Sequence, residues 1–290
     1  MTQTTLLTGA TGKTGSYAVP LLLARGHRVR AFVHRLDERS ERLANQGAEI
    51  IEGDFLDLQA VRAALRGVDG AYFCYPIVPG LVEATAYFAE AALGASVGAI
   101  VNMSQISARA EAVSDAARQH WISERIFDWS GVPVTHLRPT FFAEWLTMFA
   151  EPIRQSGVLP LPFGDGRHAP VAARDQAHVI AAILDDPAPH AGQTYKLFGP
   201  VELDHHQIAA EMTRALNRPI TYQPIPIKAF ADNMTGRGRP AHLVQHLSNV
   251  AVDYQAGRFA GTNDVIERVG GIAPMSVAAF VEANRAAFTL

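Results

Sequence analysis

A glycine-rich turn near the amino terminus constrains the fold of this chain more than any other feature. The apolar run 5–7 is followed at once by Gly-Ala-Thr-Gly-Lys-Thr-Gly at 9–15. A helical pattern covers 17–24, and a second apolar run covers 29–33. A strand, a glycine turn, a helix and a second strand in this order predict a βαβ unit.

Each glycine of the turn has its own physical role. Gly9 supplies a tight turn without a Cβ, Gly12 lets the backbone approach a pyrophosphate, and Gly15 lets the helix pack closely. Unpaired amides and the positive end of the helix dipole then attract phosphates. This context predicts a dinucleotide site rather than a turn without a ligand. Its residues are Gly9, Ala10, Thr11, Gly12, Lys13, Thr14 and Gly15.

The end of the second strand distinguishes NADP(H) from NAD(H). NAD-binding units place an acidic residue roughly 20 positions past the glycines, on the ribose 2′-hydroxyl. This chain instead has His34 and Arg35, with Arg35 twenty positions after Gly15. A guanidinium binds a 2′-phosphate through paired hydrogen bonds, so NADP(H) is the predicted cofactor and NAD(H) is less favoured. The neighbouring acids Asp37 and Glu38 leave open that Arg35 is a solvated loop residue.

The composition excludes several classes of protein. The 290 residues are 48% hydrophobic and 18% charged, with a formal net charge of −3, so we expect a large core and no basic nucleic-acid surface. A single cysteine, Cys74, excludes an internal disulfide framework and suits a reducing compartment. No apolar run approaches the roughly 20 residues of a membrane helix, and the first strand leaves no room for a signal peptide. We therefore expect a cytoplasmic protein without nucleic-acid or membrane partners.

Apolar strand patterns alternate with helical patterns through the first half of the chain. The alternation predicts an α/β fold, a doubly wound parallel sheet with helices on both faces. We assign 1–140 to a Rossmann dinucleotide-binding domain and 141–290 to a smaller α/β substrate lobe interleaved with it.

Local patterns in the second half predict four further features. Aromatic residues at helical spacing predict a helix over 140–154. The Pro- and Gly-rich segment 157–166 is typical of a rim loop. A proline within 168–171 predicts a short edge strand there. Asp175 is the expected N-cap of a helix that runs to about Asp185.

Asp54 and Phe55 follow the third predicted strand. Open α/β sheets bind ligands at the carboxyl ends of their strands. We therefore expect the Asp54 carboxylate to accept hydrogen bonds from adenine, with Phe55 lying against the ring. Because Asp is also common as a loop cap, that role stays an alternative for Asp54.

Four segments together resemble the NmrA-like group of atypical short-chain dehydrogenase/reductases. They are 8–15, His34-Arg35, Gly53-Asp54-Phe55 and 131–139. The resemblance covers essentially the whole chain and implies a ligand cleft between a Rossmann domain and a small α/β lobe. Members include NADPH-dependent quinone and dye reductases, and also NADP(H)-sensing regulators without known turnover. The resemblance implies that Arg35 binds the 2′-phosphate, and it implies dinucleotide contacts from Tyr75, Pro76 and Ile77 and, beside the nicotinamide, from Phe141 and Phe142.

The chain departs from typical short-chain dehydrogenases in the helix that carries their catalytic residues. Those enzymes use a Tyr-x-x-x-Lys pair there, whereas 117–124 contains neither residue. His120 lies where many members have Lys, and Ser104 lies where the typical family has its catalytic Ser. Reduction of a ketone needs a placed proton donor, but a quinone gives a weakly basic hydroquinone anion that takes its proton from water. The missing pair therefore favours a quinone or a similar conjugated acceptor.

The candidate catalytic and substrate residues each have an alternative role. His120 is predicted to hydrogen-bond the nicotinamide ribose or the acceptor oxygen, unless it is a helix histidine half in solvent. Ser104 is predicted to contact the nicotinamide end. Phe141, Phe142 and Trp145 are predicted to stack on the acceptor, with ordinary helix packing as the alternative.

Two functions stay open at this point. The first is an NADPH-dependent oxidoreductase that transfers hydride to a quinone or similar small-molecule acceptor. The second is a non-catalytic NADP(H)-sensing regulatory protein that binds a protein partner. No metal is expected, because adjacent His205 and His206 lack further ligands at metal spacing. The sequence leaves the oligomeric state open, and a homodimer is one of the alternatives.

Overall fold

The computed structural model describes residues 2–289, so Met1 and Leu290, at the outer ends of the two predicted domains, lie outside the described residues. The strands of the described part are β1 (Thr4–Thr8), β2 (Arg28–Val33), β3 (Glu49–Glu52), β4 (Gly70–Phe73), β5 (Ala99–Met103), β6 (Val134–Pro139), β7 (Val158–Leu161), β8 (Arg167–His168), β9 (Thr194–Leu197), β10 (Leu203–Asp204) and β11 (Thr221–Pro224).

The α-helices of the described part are interleaved with these strands. They are α1 (Gly15–Ala24), α2 (Glu38–Asn45), α3 (Leu58–Leu65), α4 (Leu81–Gly94), α5 (Asp115–Trp129), α6 (Trp145–Met148), α7 (Ala150–Ser156), α8 (Ala173–Asp185), α9 (His205–Leu216), α10 (Ile227–Gly236), α11 (Ala241–Gln255), α12 (Val265–Arg268), α13 (Val277–Ala283) and α14 (Arg285–Phe288).

Across residues 2–289, seven strands form one parallel sheet in the order β3-β2-β1-β4-β5-β6-β9. The order reverses between β1 and β4, where Leu7 is paired with Tyr72. Ligands of open α/β sheets bind at such a reversal, beyond the carboxyl ends of the strands. The arrangement confirms the predicted doubly wound α/β fold and brings the glycine turn after β1 beside Cys74, which follows β4.

Helices cover both faces of the sheet. On one face α1 packs against α8, with Leu22 and Ile180 fully buried in the shared core. On the other face α3, α4 and α5 enclose an aromatic cluster, in which the ring of Phe73 lies 4.9 Å from that of Phe88 and 5.2 Å from that of Phe127. Burial on both faces explains why the central strands are continuous apolar runs.

The C-terminal half contributes to this sheet as well as to the lobe. β9 pairs in parallel with β6, from His136 opposite Thr194 to Pro139 opposite Leu197. The helices α8 and α12 pack on this sheet too, while most other C-terminal elements surround a separate core that includes Leu159, Met212 and Tyr254. The C-terminal lobe is therefore a second packed unit whose chain passes through the parallel sheet.

The predicted rim loop over 157–166 is wrong, because this segment contains β7. β7 pairs in parallel with β11, and Leu159 and Leu161 are buried in the lobe core while Val158 and Pro160 are half-exposed. The prolines and glycines of the segment flank or interrupt an alternating strand pattern, and tertiary pairing overrides their loop propensity.

The predicted helix over 140–154 is wrong at its start. Phe142 forms an isolated parallel bridge with Val171, and the Ala143 amide donates to the Val171 carbonyl at 3.0 Å. This pairing keeps 140–144 out of a helix, so that α6 begins only at Trp145 and α7 follows as a separate helix. Phe141 and Phe142 consequently lie on a loop after β6.

Two smaller expectations are also corrected. Asp175 lies in the first turn of α8 and accepts the Met275 amide at 2.6 Å, so it is not the N-cap. The Ala173 amide instead donates to the Glu144 carboxylate, at 2.9 and 3.0 Å from its two oxygens. The edge strand expected over 168–171 is only β8, which pairs antiparallel with β10. Within residues 2–289, no helix is both long and apolar enough to cross a membrane.

Candidate functional site

The glycine turn has the tight geometry that a phosphate cradle requires. Gly9 has a φ of +58°, which favours glycine. A Cβ on Gly15 would lie 2.3 Å from the Gly9 carbonyl oxygen and 2.6 Å from Cα of Ala10, and a Cβ on Gly12 would lie 3.0 Å from the same oxygen. The turn therefore folds back on itself so closely that side chains at these positions would force it open.

Several amides of the turn are available to a ligand. The Gly12 amide donates to the Gly9 carbonyl at 2.8 Å, but the amides of Thr11, Lys13 and Thr14 have no acceptor among the described residues. They lie at the N-terminus of the ten-residue helix α1. Unpaired amides at a helix N-terminus bind phosphate, so the turn fits the pyrophosphate of a dinucleotide.

A hydrogen bond ties the turn to the central sheet. The hydroxyls of Thr14 and Tyr72 lie 2.7 Å apart and are buried. Thr8 makes a similar link, because its hydroxyl accepts the Cys74 amide at 2.7 Å. The cradle is thus held on both β1 and β4, at the point where the strand order reverses.

His34 and Arg35 lie exposed at the carboxyl end of β2. Within the described part of the chain, neither side chain forms a hydrogen bond or an ion pair. Asp37 is engaged elsewhere: it caps α2 and pairs with Arg39, and this hydrogen bond lowers the pKa of Asp37 to about 2. Because the carboxylate of Asp37 is committed to Arg39, the Arg35 guanidinium stays available to a phosphate.

Asp54 and Phe55 lie at the same edge of the sheet. One oxygen of the Asp54 carboxylate accepts the Leu56 amide at 2.9 Å, so Asp54 does act as a loop cap. Phe55 packs edge-on against Phe32 and Tyr75, with ring centroids 5.4 Å apart in each case. Phe55 thereby joins the adenine side of the predicted site to the segment after β4.

An apolar cavity of about 300 Å³ lies beside the cradle, between the sheet and the lobe. Its walls come from the ends of β4, β5 and β6, from α5 and from α11. The structure brings together here nine of the sequence-predicted site residues, namely Lys13, Tyr75, Pro76, Ile77, Ser104, His120, Phe141, Phe142 and Trp145. Cys74, which follows β4, also lines this cavity, and burial raises the pKa of its thiol.

Phe141 and Trp145 form one wall of the cavity. Their rings are stacked, with centroids 5.0 Å apart and an interplanar angle of 27°. Phe141 also packs edge-on against Phe163 of the lobe core. The aromatic pair therefore both supports the lobe core and offers a surface to a planar ligand.

Several polar side chains interrupt the apolar lining, among them His120, Ser104 and His246. His120 and Ser104 are 8% and 4% exposed, and neither Nδ1 of His120 nor the Ser104 hydroxyl has a hydrogen-bond partner among residues 2–289. His246 of α11 is 4% exposed and also lines the cavity. The alternative that His120 is half in solvent is excluded. Such buried polar atoms are costly unless a ligand satisfies them.

Both histidines are neutral at pH 7. Burial lowers the pKa of His120 to about 4, with a further contribution from His246 and opposition from Glu124. Burial, with a contribution from His242, likewise lowers the pKa of His246 to about 4. Glu124 is paired with Arg138 and is itself fully buried, so it does not restore a charge to either imidazole.

A second groove runs along the outer side of the glycine turn. Thr11, Gly12, Lys13 and Glu144 line it, and the last two residues also line the apolar cavity. Burial raises the pKa of Glu144, while Lys13 and the hydrogen bond from Ala173 act in the opposite direction. Lys13 and Glu144 thus separate the nucleotide cradle from the cavity.

Sequence reasoning missed the contribution of the C-terminal lobe to the cavity, namely His246, Leu247, Val250 and Phe259. The segment 234–261 carries no motif, and the hydrogen bond that holds His246 joins residues 132 positions apart. No local pattern signals such a contact. Among residues 2–289, no cluster of three or more potential metal ligands is present.

Comparisons with known proteins agree with this geometry. The model of the NmrA-like family matches residues 1–274. The NAD(P)H azoreductase of Xenophilus azovorans is 31% identical over 283 residues, which cover 98% of each chain. Quinone oxidoreductase 2 of Escherichia coli is 27% identical over 91% of this chain and 93% of its own. A solved NADPH-dependent quinone oxidoreductase of Escherichia coli, complexed with NADPH, superposes with a TM-score of 0.87 at 26% identity, covering 97% of this chain and 99% of that one.

Proposed function

The chain belongs to the NmrA-like family, and from that membership we propose that it is an NADPH-dependent reductase of small conjugated acceptors such as quinones. NADPH supplies the hydride, and the protein positions the cofactor and the acceptor against each other. The named activities of the two relatives, azo and quinone reduction, support this acceptor class.

One observation carries the proposal: a dinucleotide cradle and an aromatic-lined cavity share a boundary. Lys13 belongs to the cradle and also lines the cavity. A hydride donor held at the cradle and a planar acceptor in the cavity would therefore meet at the carboxyl edge of β4 and β5. Holding two reactants together in this way is itself a large part of catalysis.

We assign the cofactor-binding roles by position in the site. The turn from Gly9 to Gly15 holds the pyrophosphate, and His34 and Arg35 hold the 2′-phosphate. Asp54 and Phe55 lie on the adenine side. Tyr75, Pro76 and Ile77, together with Phe141 and Phe142, hold the nicotinamide half. The free guanidinium of Arg35 and the NADPH complex of the solved relative support NADP(H) over NAD(H).

The acceptor-binding roles belong to the cavity. Phe142 and Trp145 stack on the acceptor, and Ser104 and His120 contact its polar end or the nicotinamide. The lining contains no Tyr–Lys pair at the position typical of ketone reductases, which favours acceptors whose reduced anion is weakly basic.

A redox sensor without turnover would need the cradle but not the cavity. An apolar cavity of about 300 Å³ that contains unpartnered polar atoms suits a small ligand, so the structure favours the reductase. The same proposal includes three further points. Residues 1–140 bind the dinucleotide and residues 141–290 form the smaller substrate lobe. The protein is cytoplasmic, and it assembles as a homodimer.

The test titrates NADPH and NADH by fluorescence and then follows the loss of NADPH absorbance with quinones, azo dyes and conjugated enones. We expect tighter binding of NADPH than of NADH, and turnover with at least the quinones. Tight NADPH binding without turnover of any acceptor in the panel would contradict the reductase and favour the sensor.

A further inference from the structure

His246 has a hydrogen-bond arrangement that fixes which of its nitrogens carries the proton. Its Nδ1 lies 2.8 Å from the hydroxyl of Ser114, which is 1% exposed. The same hydroxyl accepts the Ala117 amide at 3.2 Å, as the N-cap of α5. Among residues 2–289, the hydroxyl proton of Ser114 has no acceptor other than His246.

A buried hydroxyl proton without an acceptor is costly, so Ser114 donates to Nδ1 of His246. A neutral imidazole that accepts at Nδ1 carries its proton on Nε2. This Nε2 has no partner within the described part of the chain, and His246 lines the cavity. The cavity therefore contains an N–H donor, and the position of its proton on the imidazole is fixed by Ser114, which does not line the cavity.

The groups that surround His246 leave its imidazole neutral and its Nε2–H unpaired. His120 and His242 are the titratable groups that interact with it, and each is an imidazole rather than a carboxylate. Glu124, the acid that acts on the pKa of His120, is paired with Arg138. The acidic side chain that lines the cavity, Glu144, lies before α6 and accepts the Ala173 amide.

We propose that His246 is a catalytic residue of this cavity, whose Nε2–H hydrogen-bonds the acceptor atom on which negative charge develops, and that Ser114 is the positioning residue that fixes its tautomer. The inference rests on the proposed reductase function. A neutral, preorganised donor in a water-poor site stabilises developing charge without reorganising during the reaction.

Two acceptor classes, quinones and azo dyes, distinguish a catalytic hydrogen bond from His246 from a role in packing alone. Hydride from NADPH adds to one atom of the conjugated acceptor, a π bond breaks, and its electron pair moves to an oxygen of a quinone or to a nitrogen of an azo group. NADP⁺ is left, and water supplies the proton that completes the reduction. The nitrogen anion is much more basic than the hydroquinone anion, so it depends more on a donor.

His246→Phe removes the donor and keeps an aromatic ring, and His242→Phe makes the same change one turn earlier on α11, outside the cavity. For His246→Phe we expect kcat with an azo dye to fall on the order of 100-fold and kcat with a quinone to fall clearly less. NADPH affinity should stay close to wild type, whereas the melting temperature should fall by a few degrees because the buried Ser114 hydroxyl loses its acceptor. His242→Phe should leave both rates unchanged.

Rescue by conservative variants tests the positioning role. His246→Gln retains a side-chain N–H near Nε2 and should recover part of the azo rate. Ser114→Ala should lower the azo rate, and Ser114→Thr, which keeps the hydroxyl, should restore it. Equal loss in Ser114→Thr and Ser114→Ala would contradict the tautomer argument.

A binding measurement gives a readout that needs no turnover. A nitrophenol, whose anion absorbs visible light, mimics the reduced acceptor and is titrated into protein loaded with NADP⁺. Wild type should shift the bound reporter towards its anion, and His246→Phe should abolish the shift. An unshifted wild-type spectrum, or equal shifts in both proteins, would overturn the role of His246. A wild type that reduces no acceptor would instead overturn the proposed function.

Discussion

The guanidinium of Arg109 binds the carboxylate of Asp253 through two parallel hydrogen bonds of 2.7 Å each. Arg109 belongs to the loop between β5 and α5, and Asp253 belongs to α11 of the lobe. This pair, together with the bond between Gln245 and the Asp115 amide, fixes α11 against the loop that precedes α5. The wall that carries His246 is therefore attached to the wall that carries His120.

Arg109→Ala should destabilise the protein by about 2 kcal/mol, because the Asp253 carboxylate, only 9% exposed, would lose both charged donors of Arg109 and keep only Arg258, at 3.3 Å. Urea denaturation measures the change. Arg62→Ala is the matched control, since its bidentate pair with Glu90 lies on the surface and should contribute no more than about 1 kcal/mol. Equal losses in the two variants would contradict a special role for the Arg109 pair.

Arg35→Ala should erode the preference for NADPH over NADH by about 10- to 100-fold, because a charged hydrogen bond to the 2′-phosphate is lost. Fluorescence titration of both nucleotides measures the ratio. Arg28→Ala removes an exposed arginine from the amino end of the same strand, and its ratio should stay that of the wild type. An unchanged ratio in Arg35→Ala would show that the 2′-phosphate is bound elsewhere.

Gly15→Ala should weaken NADPH binding by more than about tenfold and destabilise the protein by about 1–3 kcal/mol. The added Cβ would lie 2.3 Å from a backbone oxygen, so the turn itself must move. Gly94→Ala, at the end of α4, meets no atom within 4 Å and should be neutral or slightly stabilising. Thermal denaturation and nucleotide titration together test the pair, and wild-type affinity in Gly15→Ala would refute the close-packed turn.

Acid should destabilise the protein through its buried histidines. Burial lowers the pKa of His205 from 6.5 to about 3, so the unfolded chain takes up a proton first as the pH falls below 6.5. Stability is therefore lost between pH 6.5 and pH 3, by about 2 kcal/mol for this residue at pH 5. Little is lost above pH 7, where the imidazole is mostly neutral in both states.

His205→Phe keeps the stack on Phe163 and removes this titration. The drop in melting temperature from pH 7 to pH 5 should be smaller than in wild type. His206→Phe, at the exposed neighbouring position, should behave like wild type. If all three proteins lose the same stability at pH 5, His205 is not the acid-sensitive group.

Sequence patterns correctly predicted the elements that depend on contacts between residues close together in the chain. The turn from Gly9 to Gly15 is recognisable because its glycines, its strand and its helix are contiguous in the sequence. Prediction failed where distant pairing decided the outcome. Phe142 lies outside the helix because it pairs with Val171. His246 is held beside the cavity by a hydrogen bond to Ser114, 132 positions earlier in the chain.

The pairing of β9 with β6 has a practical consequence for anyone who divides this protein. A fragment that stops near residue 140 would expose the backbone donors and acceptors on the edge of β6 that faces β9, and it would also uncover the sheet face on which α8 rests. Bare strand edges recruit other chains. The nucleotide-binding half should therefore precipitate when it is expressed alone, and a soluble minimal version has to retain residues 173–197.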